Sequence, residues 1–502
     1  MNGRKSFWRR PSWWIAAAVA ARNVNGLRQV RRTLARVDQP APPSEAEPTV
    51  LHIVMPVLRE QQHIAGALAW FVPLLRDFPG STLTLVSTAR EERERAHLVG
   101  RLAGATATDL RVQRFPQLTD DELAALAEAL AKTGERALTL ATATEALLPF
   151  PMTADVIASE IARLREPVVR HVHYEGDGRK AAQVNAAVKQ LAADSADEYV
   201  AVYDVDSRPS PELLQRTAEF LFRHRAEHGE LPPVVQQSAR FATQGAAGTW
   251  WERALCRGAA RAQTLWTLRR EIPNLRRYAE SAHRARGGRG LAQTVGHGLL
   301  VRADVFRQVG GLPDFTVLDD VAFGYRLTLD GVPVDSLPFT TAVPAAEYLP
   351  ELLSQGERWF QSYLDYPQCA TRWHAQGHGS RLDHVAALTT GAYRGMAWLL
   401  VSPATVGCLA LALGPRTSPP VRAAATAALW AATVAPVRLL AEAEGRLLTA
   451  RETAEQSVET LAGLLLKSIG PMTALGRWAV TGTRHSVLAP KSNRRSKDRE
   501  AP

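Results

Sequence analysis

Short apolar runs of strand length alternate with longer amphipathic runs over the first part of the chain. TVLHIVMPV, residues 49–57, is almost uninterrupted in apolar character and predicts a buried strand, and EQQHIAGALAWFVPLL behind it is spaced for a helix. STLTLVST predicts a second strand, with the charged AREERERAHLVGRL as the following helix. TDDELAALAEALAK opens on acids, where the positive end of a helix dipole favours them. EPVVRHVHY and EYVAVYDVD predict two further strands. Strands and helices in alternation imply an α/β domain with a mainly parallel sheet and helices on both faces. Ligands of such sheets sit beyond the carboxyl ends of the strands.

Later the pattern changes. Residues 395–413 carry no charge over a length that spans a bilayer, and the shorter run 423–437 is marginal; GPRTSPPVR between them reads as a turn. Residues 461–480 are apolar but broken by Lys467, Pro471 and Arg477, which suits an interfacial or re-entrant segment. At the other end, Trp8, Trp13 and Trp14 lie among arginines, which suits a helix in the headgroup region; a cleaved signal peptide is the rival reading. DQPAPPSEAEP, residues 38–48, has linker composition. The expected division is a basic amphipathic segment and linker at 1–48, a catalytic domain at 49–385, a transmembrane helical hairpin at 386–445, and an interfacial helix with a basic tail at 446–502.

Composition adds three limits. A chain of 502 residues, 46% hydrophobic, has ample material for a core and for more than one domain. The net charge of +10 points to anionic lipid or a phosphorylated ligand, because no zinc finger or RNA-binding aromatic signature accompanies it; nucleic acid is not an expected partner. Three unpaired-looking cysteines, Cys256, Cys369 and Cys408, fit neither a disulfide framework nor a zinc cluster and read as inert thiols in a reducing compartment.

Candidate chemistry starts at YDVDSRPSPELL. In an extended strand, residues i and i+2 point to one side, so Asp204 and Asp206 are expected to converge while Val205 turns into the core. Two bare carboxylates so placed repel, and a divalent cation resolves the conflict: Mg2+ and Mn2+ take oxygen ligands, commonly one or two carboxylates plus substrate phosphates. A capped turn ahead of a helix gives the same letters without any metal.

In this context the chain resembles a family-2 inverting glycosyltransferase of the GT-A, Rossmann-like fold. VMPVLREQQHI is similar to the family's first strand and loop through Pro56 and Glu60, with Leu58 and Arg59 standing where an aromatic and Asn are usual. GRKAAQVNAAV resembles the Gly-Lys-Ala…Leu-Asn segment through Gly178, Lys180 and Asn185. YDVDSRPSPELL resembles the metal motif, and GHGLLVRADVFRQVGGLPDFTVLDDVAFGYRLTLDG the acceptor-side strand, helix and acidic motif. QGERW is similar to the Gln-x-x-Arg-Trp motif of the membrane-bound branch. Two departures stand out: Ser87 and Thr88 replace the acids that end the second strand and contact the nucleoside, and Asp319 replaces a Glu. The stretch between Thr88 and Gly178 is also longer than usual, which predicts an insertion near 100–150.

The resemblance implies roles. Asp206 with Asp204 holds Mg2+ or Mn2+. Pro56, Glu60, Lys180, Asn185 and Asp204 hold the donor. Asp320, beside Asp319, is the base that takes the acceptor's proton. Gln355, Arg358 and Trp359 share a helix face, where Arg358 grips phosphate and Trp359 offers a flat surface to a sugar. The expected partners are a nucleotide-sugar donor, a lipid-linked or glycan acceptor and membrane lipids, with the catalytic domain on the cytosolic face of the cell membrane. A catalytically inactive membrane scaffold or sugar-nucleotide sensor is the rival function.

Overall fold

The computed structural model describes residues 11–37, 49–111, 115, 118–191, 195–243, 248–283 and 290–482. The linker at 38–48 and the basic ends at 1–10 and 483–502 lie outside the described residues. The chain divides into two compact units, a larger one of Met1–Ala46, Pro209–Leu299 and Thr316–Ser486, and a smaller one of Glu47–Arg208, Leu300–Phe315 and Val487–Pro502.

The N-terminal helix α1 (Pro11–Leu34) belongs to the larger unit. The smaller unit then runs β1 (Val50–Pro56), α2 (Gln61–Leu75), β2 (Thr82–Thr88), α3 (Ala89–Leu102), α4 (Ala107–Arg111), α5 (Asp120–Thr133), α6 (Leu140–Leu147), α7 (Thr153–Leu164), β3 (Val169–Tyr174), α8 (Lys180–Gln190) and β4 (Glu198–Val202). Its strands lie in the order β3-β2-β1-β4, and β1 pairs in parallel with both β2 and β4. Central β1 and β2 are buried on both faces, which is why they read as near-continuous apolar runs. The stretch near 100–150, where an insertion is expected, holds α4 to α6, which pack with the end of α3 around Leu102, Leu126, Leu130 and Leu147. Thr119 and Glu122 close a reciprocal cap at the start of α5.

The larger unit continues with α9 (Pro211–His228), β5 (Val234–Ala242), α10 (Trp250–Trp266), a π-helical turn (Thr267–Glu271) and α11 (Ile272–His283). Strand β6 (Leu299–Arg302) starts in this unit, and α12 (Ala303–Gln308) follows it in the smaller one. Helix α13 (Asp319–Leu329), β7 (Asp335–Pro344), α14 (Leu349–Ala375), α15 (Arg381–Leu399), α16 (Val401–Leu413), α17 (Pro419–Ala432), α18 (Val434–Ala443), α19 (Ala450–Leu466) and α20 (Ile469–Thr481) complete it. β5 and β7 are parallel, with Val235 opposite Asp335 and Ala242 opposite Pro344.

Two expectations change. The uncharged stretch 395–413 is not one straight helix: α15 and α16 meet at a bend of 44° around Leu400. The stretch read as marginal lies within Pro419–Ala443, α17 and α18 taken together, which among the described residues is the one unbent stretch long and apolar enough to cross a membrane. Helix α1 packs along α17, with the Asn23 amide donating to the Ala428 carbonyl at 3.0 Å. The three cysteines are buried free thiols.

Candidate active site

In the smaller unit, Pro56 ends β1 and Val57 carries the ladder one residue further, donating to the Val86 carbonyl at 2.8 Å. The chain then turns through Arg59, whose φ of 56° is a left-handed conformation rare for a side chain of this size. Two contacts hold it there: its N–H donates to Thr153 Oγ1 at 3.2 Å and its guanidinium meets Glu94 at 2.9 Å. Glu60 follows as the N-cap residue of α2.

The strand-alternation argument for Asp204 and Asp206 does not hold. β4 stops at Val202, and both acids lie beyond it, in a turn that the Ser207 N–H closes on the Asp204 carbonyl at 2.9 Å. Buried Val205 anchors that turn. Part of the expected repulsion is relieved by a cation from the chain itself: Lys180 Nζ, at the first residue of α8, lies 2.7 Å from Asp204 Oδ1. Asn185, one helical turn on, uses its amide on backbone; it accepts from the Leu312 N–H and donates to the Leu312 carbonyl, each at 2.8 Å. It braces the loop at Gly311, where φ is +83° and a Cβ would come within 2.5 Å of the Asn185 oxygen.

Sequence reasoning missed Arg208. Its guanidinium donates to the Val205 and Ser207 carbonyls at 2.9 and 2.7 Å and so clamps the acidic turn from behind. Burial holds it below the usual arginine value, against the opposing pull of Asp206. Ser87 and Thr88, which stand where the resemblance leads one to look for acids, have their hydroxyls engaged internally: Ser87 Oγ with His171 at 2.8 Å and His173 at 2.9 Å, Thr88 with the Gly176 carbonyl at 3.2 Å.

In the larger unit, Asp319 and Asp320 are the first two residues of α13. Leu318 supplies no side-chain cap, so the acids do: Asp319 Oδ1 accepts from the Asp320 N–H at 3.0 Å, and Asp320 Oδ1 from the Val321 N–H at 2.8 Å. Asp319 is buried and Asp320 half-buried. The helix is fixed behind them. Gly324 sits where a Cβ would be 2.7 Å from the Ala292 carbonyl, and Thr294 donates to the Asp320 carbonyl. Tyr325 stacks on Trp373 at 5.2 Å and meets His384 Nδ1 at 3.1 Å, joining α13 to α14 and α15.

Gln355, Arg358 and Trp359 lie on α14 as the spacing predicts. A cavity of about 50 Å³ receives Gln355 and Trp359 together with Phe241, Gln263, Trp398 and Lys467; Arg358 is not among its lining residues. Trp359 meets Phe241 edge-on, centroids 6.4 Å apart. Lys467, another residue the sequence did not nominate, stands 5.3 Å over the Trp398 ring and donates to Gln263. Burial, and secondarily Arg269, lowers its pKa to about 8. Gly356 lets α14 approach α20, where a Cβ on Gly470 would be 2.5 Å from the Glu357 nitrogen.

Residues 199–439 match the family model described as "Glycosyl transferase family group 2". That segment includes Asp204, Asp206, Asp319, Asp320, Gln355, Arg358 and Trp359, while Pro56, Glu60, Lys180 and Asn185 precede it. No curated protein matches the chain. A similar solved structure is "Mannosyltransferase PcManGT from Pyrobaculum calidifontis in complex with GDP-Man and Mn2+", with a TM-score of 0.42 and 15% identity over 92% of this chain and 99% of that one. The match takes in residues 199–439 of the 502, and over that segment the chain is similar to the family-2 glycosyltransferases.

Proposed function

We propose that this chain is a metal-dependent inverting glycosyltransferase that moves a sugar from a nucleotide-diphosphate donor to a lipid-linked or glycan acceptor at the cytosolic face of a membrane. The observation that carries this reading is the family match over 199–439, which takes in the acidic turn, the acids of α13 and the Gln355 motif.

The donor set of the acidic turn fits a hard cation, since it offers carboxylate oxygens from Asp204 and Asp206 and no sulfur or imidazole. Asp206 and Asp204 would hold Mg2+ or Mn2+, which when bound neutralises charge on the departing diphosphate. Arg208 keeps the turn rigid around them. Lys180, already at Asp204, stands ready to bind donor phosphate as a point charge. Asp320 takes the proton of the acceptor hydroxyl on its carboxylate; the Val321 N–H on Oδ1 fixes how that carboxylate points. Attack from the face opposite the leaving diphosphate inverts the anomeric carbon. Arg358 grips phosphate. Trp359 presents a ring face to a sugar, and Leu352, Leu353 and Leu466 in the same cavity suit a lipid-linked acceptor.

Purified chain assayed against a panel of sugar nucleotides, with and without EDTA, tests the reading. Transfer or slow donor hydrolysis is expected, and EDTA should abolish it. Asp320→Asn should lower kcat by about 10²–10⁴-fold and leave donor binding intact, whereas Asp206→Asn should lose the metal-dependent part of donor binding. Donor binding with no turnover in the native chain would overturn the enzyme reading in favour of a sensor or scaffold.

A further inference from the structure

The larger unit holds a second group of metal-ligating side chains that the proposed transfer reaction does not use. His224 on α9, His283 at the end of α11 and Asp335 at the start of β7 each offer a ligand atom, and these atoms lie within 4.8 Å of one another. Each comes from a different element. His224 is buried, 7% exposed, and its ring is already oriented: Nδ1 lies 3.0 Å from the Glu230 carbonyl, which only accepts, so Nδ1 carries the proton and Nε2 the lone pair. An imidazole fixed by a backbone carbonyl on its other nitrogen is the usual arrangement behind a metal-bound histidine. His283 Nε2 and Asp335 Oδ2 face each other at 3.3 Å. A third ring, His228, stacks on His224 at 4.2 Å and gives its own Nδ1 to the His224 carbonyl.

We infer that His224, His283 and Asp335 bind one Zn2+ ion that fastens α9, α11 and β7 to one another. Two imidazoles and one carboxylate form a borderline donor set that suits zinc, unlike the all-oxygen set of the acidic turn. Zinc bonds of about 2.0–2.2 Å require the ligand atoms to draw together by roughly 1 Å from their present limit. His283 Nε2 and Asp335 Oδ2 already stand at 3.3 Å, so the adjustment is between this pair and His224, whose ring centroid lies 5.7 Å from that of His283.

The role is structural, because of where the group sits. Asp335 begins β7, opposite Val235 near the start of β5. The Trp359 cavity includes Ala345 and Ala346, just past the far end of β7. β5 covers the same stretch in the seven steps from Val235 to Ala242, so at about 3.3 Å per residue roughly 25 Å separate them. Ligands for chemistry collect at the carboxyl ends of parallel strands, and this group is at the amino end.

The test uses the untagged full chain, stripped with a chelator and dialysed against Zn2+ in excess Mg2+, which occupies oxygen-only sites. One bound zinc per chain is expected by mass spectrometry, with a rise in Tm. His283→Ala and Asp335→Asn, both at positions that tolerate change better than buried His224, should weaken zinc binding at least tenfold and remove the rise in Tm. Asp204→Asn should keep both. Absence of zinc binding by the native chain, or equal binding by His283→Ala and Asp335→Asn, overturns the inference, as does loss of the zinc in Asp204→Asn. None of these results depends on glycosyl transfer.

Discussion

Glu271 closes the π-helical turn Thr267–Glu271 with its side chain fully inside the larger unit. Ser238 donates to Oε1 at 2.8 Å and Thr267 to Oε2 at 3.4 Å, but burial outweighs both and pushes the carboxyl up to about 7. The sign follows from proton counting. Between the unfolded carboxyl value of about 4.3 and about 7, the folded chain binds the extra proton, so stability is greatest below this window and falls as pH rises through it. Glu271→Gln keeps an acceptor for Ser238 and removes the titration. Urea unfolding at pH 5 and pH 8 should show the native chain losing on the order of 3 kcal/mol across the window and the Gln variant losing far less. An equal loss in both would assign the pH dependence elsewhere. Glu271 illustrates the limit of reading residues one at a time: the letters TLRRE carry no sign of burial, which comes from elements far along the chain. The acidic turn shows the same thing. The Asp204–Asp206 spacing was legible, but its geometry was not, because the strand ends at Val202 and the partners Lys180 and Arg208 are set by the turn.

Elements were the most legible level. β1 to β4 and α2, α3 and α5 fall where apolar spacing puts them, because buried parallel strands and amphipathic helices write their period directly into the sequence. What locks the elements together is not written that way. Gly258 on α10 and Gly463 on α19 are in contact: a Cβ on Gly258 would stand 1.8 Å from the Glu459 carbonyl, and one on Gly463 2.4 Å from the Gly258 carbon. The two backbones therefore touch, as small residues allow. Arg257 and Arg261 then reach Glu459 at 2.5 and 2.8 Å. Gly258→Ala must push α10 and α19 apart and should destabilise by about 1–3 kcal/mol. Gly407 in α16 has nothing within 4 Å of its Cβ position, so Gly407→Ala should be neutral or gain up to about 1 kcal/mol through helix propensity. Thermal unfolding of the two variants checks the pair. Similar melting points would mean that α10 and α19 are not held by this contact.

At the scale of the whole molecule, the proposed attachment to a membrane is tested by two forces that respond oppositely to salt. A net charge of +10 draws the chain to anionic lipid, at about 1 kcal/mol for each Lys or Arg near the surface, and 1 M salt shortens the Debye length to about 3 Å and cancels that attraction. Burying apolar helices in hydrocarbon is not weakened by salt. The helix Pro419–Ala443 has the length and composition to cross, and the bent pair α15 and α16 does so if counted as one span. Large apolar side chains on these helices, among them Val406 at 54% and Trp430 at 51%, are exposed. Their lengths and apolar character were legible, and the bend at Leu400 has its cause in the sequence too: Pro403 has no N–H to give the Leu399 carbonyl, and its ring pushes that turn open. A chain that spans, as the hairpin expected at 386–445 requires, should float with vesicles of neutral or anionic lipid alike and stay with them through 1 M NaCl and alkaline carbonate. Replacing Ala428 and Ala431, both buried within α17, by Arg should abolish that resistance, because charge at the centre of a span costs about 2.5–3.5 kcal/mol per residue. Complete release of the native chain by salt would leave only the electrostatic attachment and remove the span from the reading.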